Sequence, residues 1–140
     1  MNALYTAKAT AKGGRDGKVT SSDGVLDVAL GMPKSLGGSG ADGATNPEQL
    51  FAAGYAACFD SALNLVARQD KKKIQSNVTA EVSIGKDTDG GFKLGVVLSV
   101  AVNGVELDEA KQLVEKAHGV CPYSKATNGN IDVELHTELF

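Results

Sequence analysis

The chain has no tryptophan, three prolines, two histidines and only two cysteines among its 140 residues. Two cysteines without a secretory leader do not make a disulfide framework. They leave reduced, redox-active or inert thiols as the readings. An excess of positive charge is missing too. The 14 Lys and Arg against 17 Asp and Glu leave a net charge of −3, with no basic footprint for nucleic acid. There is no uninterrupted apolar run: the most apolar stretch is broken by Gly54, Asp60, Ser61 and Asn64, so no membrane span is expected. The opening residues Met1 to Lys8 lack a charged segment followed by an apolar one, and read as the mature start of a cytoplasmic protein.

Several chemistries lose support in the same way. No C-x-x-C occurs, Cys58 lies mid-helix, and His136 sits in an alternating segment, so no metal site is expected, although His118 and Cys121 could pair. Ser61 has no neighbouring His and carboxylate for hydrolase chemistry. The Gly-rich stretch 31–45 fits neither the phosphate loop nor the dinucleotide fingerprint, and no Lys follows it into a helix, so it reads as a flexible connection. No repeat or linker interrupts the chain, and the length suits one domain over residues 1–140.

The stretch that is present in force runs from Asn46 to Ala67. Asn46 can cap free backbone N–H groups, Pro47 fits the first helical position, and Glu48 suits the positive end of the dipole. Apolar residues then occupy nearly every face, which predicts a helix surrounded by protein, ending near Asp70 in a run of three lysines. Before it, residues Leu4 to Ala11, Lys18 to Ser21 and Val25 to Leu30 read as a three-stranded meander with turns at Gly13-Gly14 and at Asp23-Gly24. After it, alternation over Val78 to Ile84 and Phe92 to Val102 predicts two strands. A second helix is expected from about Asp108 to His118, stopped by Gly119, and a last strand over Ile131 to Leu139. Pro122 suggests a further helical turn with Cys121 as its cap. The pattern is α+β with mostly antiparallel pairing. So small a chain cannot cover its central helix on all sides, which predicts burial against a second subunit.

Four residues could carry chemistry. Cys58 is either a small core residue made inert by desolvation or a thiolate nucleophile in need of a nearby cation. Arg15 is the chemically suited cation, because a guanidinium stays charged in an apolar pocket; it is equally a solvated turn residue. Glu48 could orient Arg15 through a bidentate pair, or serve only as a helix-terminal charge. Ten positions of helix separate Glu48 from Cys58, about 15 Å of rise. If both serve one pocket, either the helix breaks or Glu48 comes from a partner chain, and the partner is the favoured reading. Cys121 could meet an oxidised Cys58, or be a buried structural thiol.

The strings Asn46-Pro-Glu-Gln-Leu-Phe-Ala-Ala-Gly-Tyr-Ala-Ala-Cys58-Phe59 and Val120-Cys-Pro-Tyr-Ser-Lys-Ala-Thr-Asn-Gly-Asn130, with the early Gly-Gly-Arg15, resemble the organic hydroperoxide resistance proteins of the superfamily named for osmotically induced protein C. The resemblance covers essentially the whole chain. It implies a bacterial thiol peroxidase that reduces organic and fatty-acyl hydroperoxides to alcohols. It also implies no bound cofactor, and regeneration by dihydrolipoamide or lipoylated proteins. The implied fold is an intertwined α+β homodimer in which mainly antiparallel sheets wrap two central helices and the sites lie at the interface. Cys58 becomes the peroxidatic thiol, Cys121 the resolving thiol, and Arg15 and Glu48 the activating pair. Phe51, Tyr55, Phe59, Met32 and Leu36 could wall the alkyl chain, each being equally a core residue. A non-catalytic redox sensor or a hydroperoxide-binding protein using the same cysteines is the alternative.

Overall fold

The computed structural model describes all 140 residues, in two compact units, Met1–Leu50 and Phe51–Phe140.

The first unit holds a three-stranded antiparallel sheet of β1 (Ala9–Lys12), β2 (Lys18–Ser21) and β3 (Asp27–Ala29), in that order. The first strand is shorter than the alternation from Leu4 suggests. Its register pairs Ala9 with Ser21 and Lys12 with Lys18, and β2 offers only four residues. The third strand is likewise trimmed, and Leu30 instead forms an isolated parallel bridge with Thr45. None of these three strands contains a buried residue; Leu30 is the unit's one buried apolar side chain.

Helix α1 (Pro47–Gln69) begins as its sequence demands, with Asn46 Oδ1 accepting from the Gln49 N–H at 2.8 Å. Its buried residues in the second unit are Tyr55, Phe59, Ala62, Leu63, Val66 and Ala67, one stripe at helical spacing. Of its other apolar residues, Phe51, Ala52, Ala56 and Cys58 are half-buried, and Ala53, Ala57 and Leu65 are exposed. One chain therefore covers the helix only in part.

The second unit builds its core from that stripe and a second sheet, β4 (Gln75–Lys86), β5 (Phe92–Asn103) and β6 (Val133–Leu139). β5 is central. Val96, Leu98, Val100 and Val102 are buried at period two and pack with the α1 stripe and with Ala110, Leu113, Val114 and Ala117 of α2 (Leu107–Val120). β4 joins β5 antiparallel through a tight turn, as expected, but β6 runs parallel to β5. The helical crossover between them is what makes parallel pairing possible.

α2 runs through Gly119 to Val120, two residues past the end expected at His118. The chain leaves the helix at Cys121, whose ψ of 124° is extended. Pro122 enforces this by excluding the residue before it from helical geometry. Cys121 then caps α3 (Pro122–Thr127), the extra helical turn that Pro122 suggested.

Candidate active site

Arg15 sits on a one-turn 3-10 helix (Gly14–Asp16) between β1 and β2. Two glycines are structurally required there. Gly13 has a φ of 83°, and a Cβ on Gly17 would lie 1.7 Å from the Lys12 carbonyl oxygen. The turn is further tied down by the Met32 N–H, which donates to Asp16 Oδ1 at 3.0 Å. The glycines thus build a fixed turn.

From that turn Arg15 reaches the first turn of α1. Its Nη1 donates to Glu48 Oε2 at 2.9 Å and its Nη2 to Glu48 Oε1 at 2.7 Å. The pair is bidentate, with side-chain exposures of 32% for Arg15 and 13% for Glu48. The bond from Arg15 holds the Glu48 carboxyl below its ordinary range, and the bond to Glu48 in turn raises Arg15. Both groups are charged across the physiological range.

The two cysteines meet in the second unit. Cys121 Sγ lies 3.6 Å from Cys58 Sγ, across 63 positions of sequence. Both are free thiols; Cys58 is half-buried and Cys121 fully buried. Burial pushes the Cys58 thiol up, the Tyr123 backbone N–H pulls it down, and Cys121 adds to the upward shift. The net direction is upward, no cation is among these influences, and the Tyr123 N–H alone favours a thiolate at Cys58.

The helix does not break between Glu48 and Cys58; α1 is continuous from Pro47 to Gln69. Of the side chains expected to wall a substrate, Tyr55 and Phe59 are fully buried members of the core cluster and do not present a surface. Their helical spacing on α1 gives them to the core stripe. Phe51 is half-buried and meets the Tyr55 and Tyr123 rings edge-on, at centroid separations of 6.0 and 6.1 Å. Met32 and Leu36 are half-buried in the first unit.

Sequence reasoning missed three features. Tyr123 supplies a backbone donor to Cys58 and packs so closely on α1 that a Cβ at Gly54 would come within 2.7 Å of its hydroxyl oxygen. The Tyr55 hydroxyl joins Ser124 and Thr127 in a buried polar cluster. His118 turns its Nδ1 to Ser124 Oγ at 2.9 Å. The signal that could have found the cluster is the pair of hydroxyl residues three apart on α3, a spacing that puts both on one helix face.

Comparison with known proteins agrees along the whole chain. The OsmC-like protein family matches residues 39–136. Organic hydroperoxide resistance protein OhrA of Bacillus subtilis (strain 168) is 60% identical over 133 residues, covering 94% of both chains. The crystal structure of an organic hydroperoxide resistance protein from Elizabethkingia anophelis superposes with a TM-score of 0.94 at 54% identity, covering 100% of each chain. A putative organic hydroperoxide resistance protein from Vibrio cholerae, crystallised with captopril bound in one of its active sites, gives 0.91 at 49% identity, covering 98% of this chain and 94% of that one. With its α+β fold and free cysteine pair, the chain belongs to the organic hydroperoxide resistance proteins of the OsmC-like family.

Proposed function

We propose that the protein is a cysteine-based peroxidase that reduces organic and fatty-acyl hydroperoxides to alcohols and is regenerated by dihydrolipoyl groups. The observation that carries this reading is the 3.6 Å contact of a half-buried Cys58 with a fully buried Cys121. A peroxide can reach the first thiol, and the second waits behind it.

The chemistry runs in three balanced steps. The Cys58 thiolate attacks the distal peroxide oxygen, the O–O bond breaks, and the alkoxide leaves and takes up a proton as the alcohol. Cys58 is left as sulfenic acid. The Cys121 sulfur then attacks the Cys58 sulfur, forming the disulfide and releasing water. A dithiol exchanges with that disulfide, restoring both thiols and leaving oxidised lipoamide.

Arg15 activates the nucleophile, stabilising the thiolate and the charge that develops on the leaving alkoxide. Glu48 orients it. We place the Arg15–Glu48 pair of one protomer at Cys58 of its partner, in a homodimer with interface sites. Two observations support this. About 15 Å of unbroken helix separates Glu48 from Cys58 in one chain, and the influences on Cys58 include no cation. The apolar surface left uncovered at Leu65 suits such an assembly. Phe51, Met32 and Leu36 are the wall side chains that remain for the alkyl chain.

The test is peroxide consumption with cumene hydroperoxide and dihydrolipoamide, with hydrogen peroxide in parallel. Many turnovers with the organic peroxide and few with hydrogen peroxide are expected. One equivalent per subunit and then none would point instead to a stoichiometric sensor.

A further inference from the structure

Four polar side chains behind the cysteine pair take no part in the steps above. The Tyr55 hydroxyl, fully buried, lies 2.9 Å from Ser124 Oγ and 3.1 Å from Thr127 Oγ1. Ser124 and Thr127 are buried as well. His118 Nδ1, from the last turn of α2, is 2.9 Å from Ser124 Oγ. The Thr127 hydroxyl donates to the Ser124 carbonyl at 3.1 Å.

Counting protons gives the cluster a direction. Each hydroxyl has one proton to donate. Thr127 uses its proton on the Ser124 carbonyl, so its contact with Tyr55 needs the Tyr55 proton. The contact between Tyr55 and Ser124 then needs the Ser124 proton, which leaves Ser124 only able to accept from His118. The run is His118 Nδ1–H to Ser124, Ser124 to Tyr55, Tyr55 to Thr127, and Thr127 to backbone. Reversing the first bond would leave one of the hydroxyl contacts without a proton. Run in this sense, every member is satisfied, in keeping with the absence of any unpartnered buried side-chain polar atom.

The cluster is also placed in register with the thiols. Tyr55 stands three residues before Cys58 on α1, and Ser124 three residues after Cys121 on α3. The hydroxyl tie and the thiol contact are therefore adjacent rungs of one antiparallel helix contact. α3 has only six residues, and its N-cap makes no side-chain hydrogen bond. A helix so short has no stability of its own and is held where tertiary contacts hold it.

We propose that Tyr55 is a positioning residue for disulfide formation: through Ser124 and Thr127 its hydroxyl pins α3 to α1 and keeps Cys121 within reach of Cys58. The proposal rests on the reading of these cysteines as a redox pair. The step it serves forms the S–S bond, breaks the S–O bond of Cys58 sulfenic acid, and releases the oxygen as water with the Cys121 thiol proton. The competing event is attack of the sulfenic acid on a second hydroperoxide, which gives sulfinic acid and another alcohol. Holding Cys121 in place decides that partition.

The test is single-turnover mixing of reduced Tyr55→Phe and wild type with cumene hydroperoxide, quenched and read by thiol mass spectrometry. Loss of the Cys58 thiol is expected at the wild-type rate. Disulfide formation should slow by about tenfold to a hundredfold, as for an angstrom-scale misplacement of reacting groups, with a matching rise in sulfinic acid. Thr127→Val should behave like Tyr55→Phe, whereas Thr127→Ser keeps the hydroxyl and the wild-type partition. That second pair decides the matter alone if Tyr55→Phe does not fold. Unchanged disulfide formation, equal slowing of both steps, or equal loss in Thr127→Ser and Thr127→Val would each overturn the assignment. Wild type that loses its Cys58 thiol and never forms the Cys58–Cys121 disulfide would overturn the redox-pair reading itself, and this inference with it.

Discussion

Arg15 and Glu48 meet through two parallel N–H···O bonds of 2.9 and 2.7 Å across 33 positions of sequence. The guanidinium is thereby held flat against the carboxylate, leaving its remaining N–H edge free to face an anion.

Arg15→Ala is expected to slow the reaction with cumene hydroperoxide by about a hundredfold to a thousandfold, the scale for removing one preorganised charge donor. Arg15→Lys should recover only part, because an ammonium cannot make the fork. Mixing Arg15→Ala with Cys58→Ser subunits adds a sharper readout. If the pair acts on the partner's thiol, mixed dimers contain one intact site and regain activity well above that of either parent. Silent mixtures with proven subunit exchange would rule out action across the interface.

The acid side of the stability profile should carry the Glu48 signature. Arg15 depresses the folded-state carboxyl pKa, so the pair stabilises the fold above the unfolded carboxyl value, and that contribution is lost as pH falls through the folded value. Glu48→Gln should cost about 1 kcal/mol near neutral pH, given that Arg15 is part-exposed. The gap between variant and wild type should close in acid. Urea unfolding across a pH series reads this directly, and a gap that stays constant would mean the pair contributes nothing through charge.

Cys58→Ser should abolish peroxide consumption. Cys121→Ser should leave the first turnover intact and convert Cys58 to sulfinic acid under excess peroxide, since the thiol 3.6 Å away that would intercept the sulfenic acid is gone. Mass spectrometry of the Cys58 peptide distinguishes the outcomes. Wild-type resistance to overoxidation in Cys121→Ser would remove Cys121 as the resolving thiol.

Gly54→Ala sets two effects against each other. Alanine gains about 1 kcal/mol of helix propensity over glycine. Its Cβ would sit 2.7 Å from the Tyr123 hydroxyl oxygen and 3.2 Å from two ring carbons, and overpacking of that kind costs about 1–3 kcal/mol. We expect a net loss of up to about 2 kcal/mol in urea unfolding, with Gly54→Ala/Tyr123→Phe recovering part by removing the shortest contact. A single variant more stable than wild type would mean that the Tyr123 ring swings aside at no cost.

How much of this was legible beforehand depends on how local each feature is. The start of α1 was readable because Asn46, Pro47 and Glu48 act on their own helix terminus, and the capping bond from Asn46 follows from that alone. The end of α2 was misread because Gly119 was weighed above Pro122, although proline constrains its predecessor directly and glycine merely permits a stop. The parallel β5–β6 pairing was missed because alternation reports which faces a strand has, and says nothing about the direction of its neighbour. Tyr55, readable either as a wall or as a core residue, lies in the core, and its hydroxyl contacts were missed because an apolar count treats tyrosine as a ring.

By itself, the sequence determined the order of elements, the α+β class, the caps and turns, and the family, through the two long strings around Cys58 and Cys121. Those properties depend on residue type and short-range spacing, which a linear chain carries in full. Only the tertiary structure decided that Cys121 touches Cys58, that Arg15 forks onto Glu48, and that the buried Tyr55, Ser124 and Thr127 share one cluster with the half-buried His118. Those contacts join positions up to 72 residues apart. Proximity across such separations is fixed by packing, which no spacing along the chain encodes.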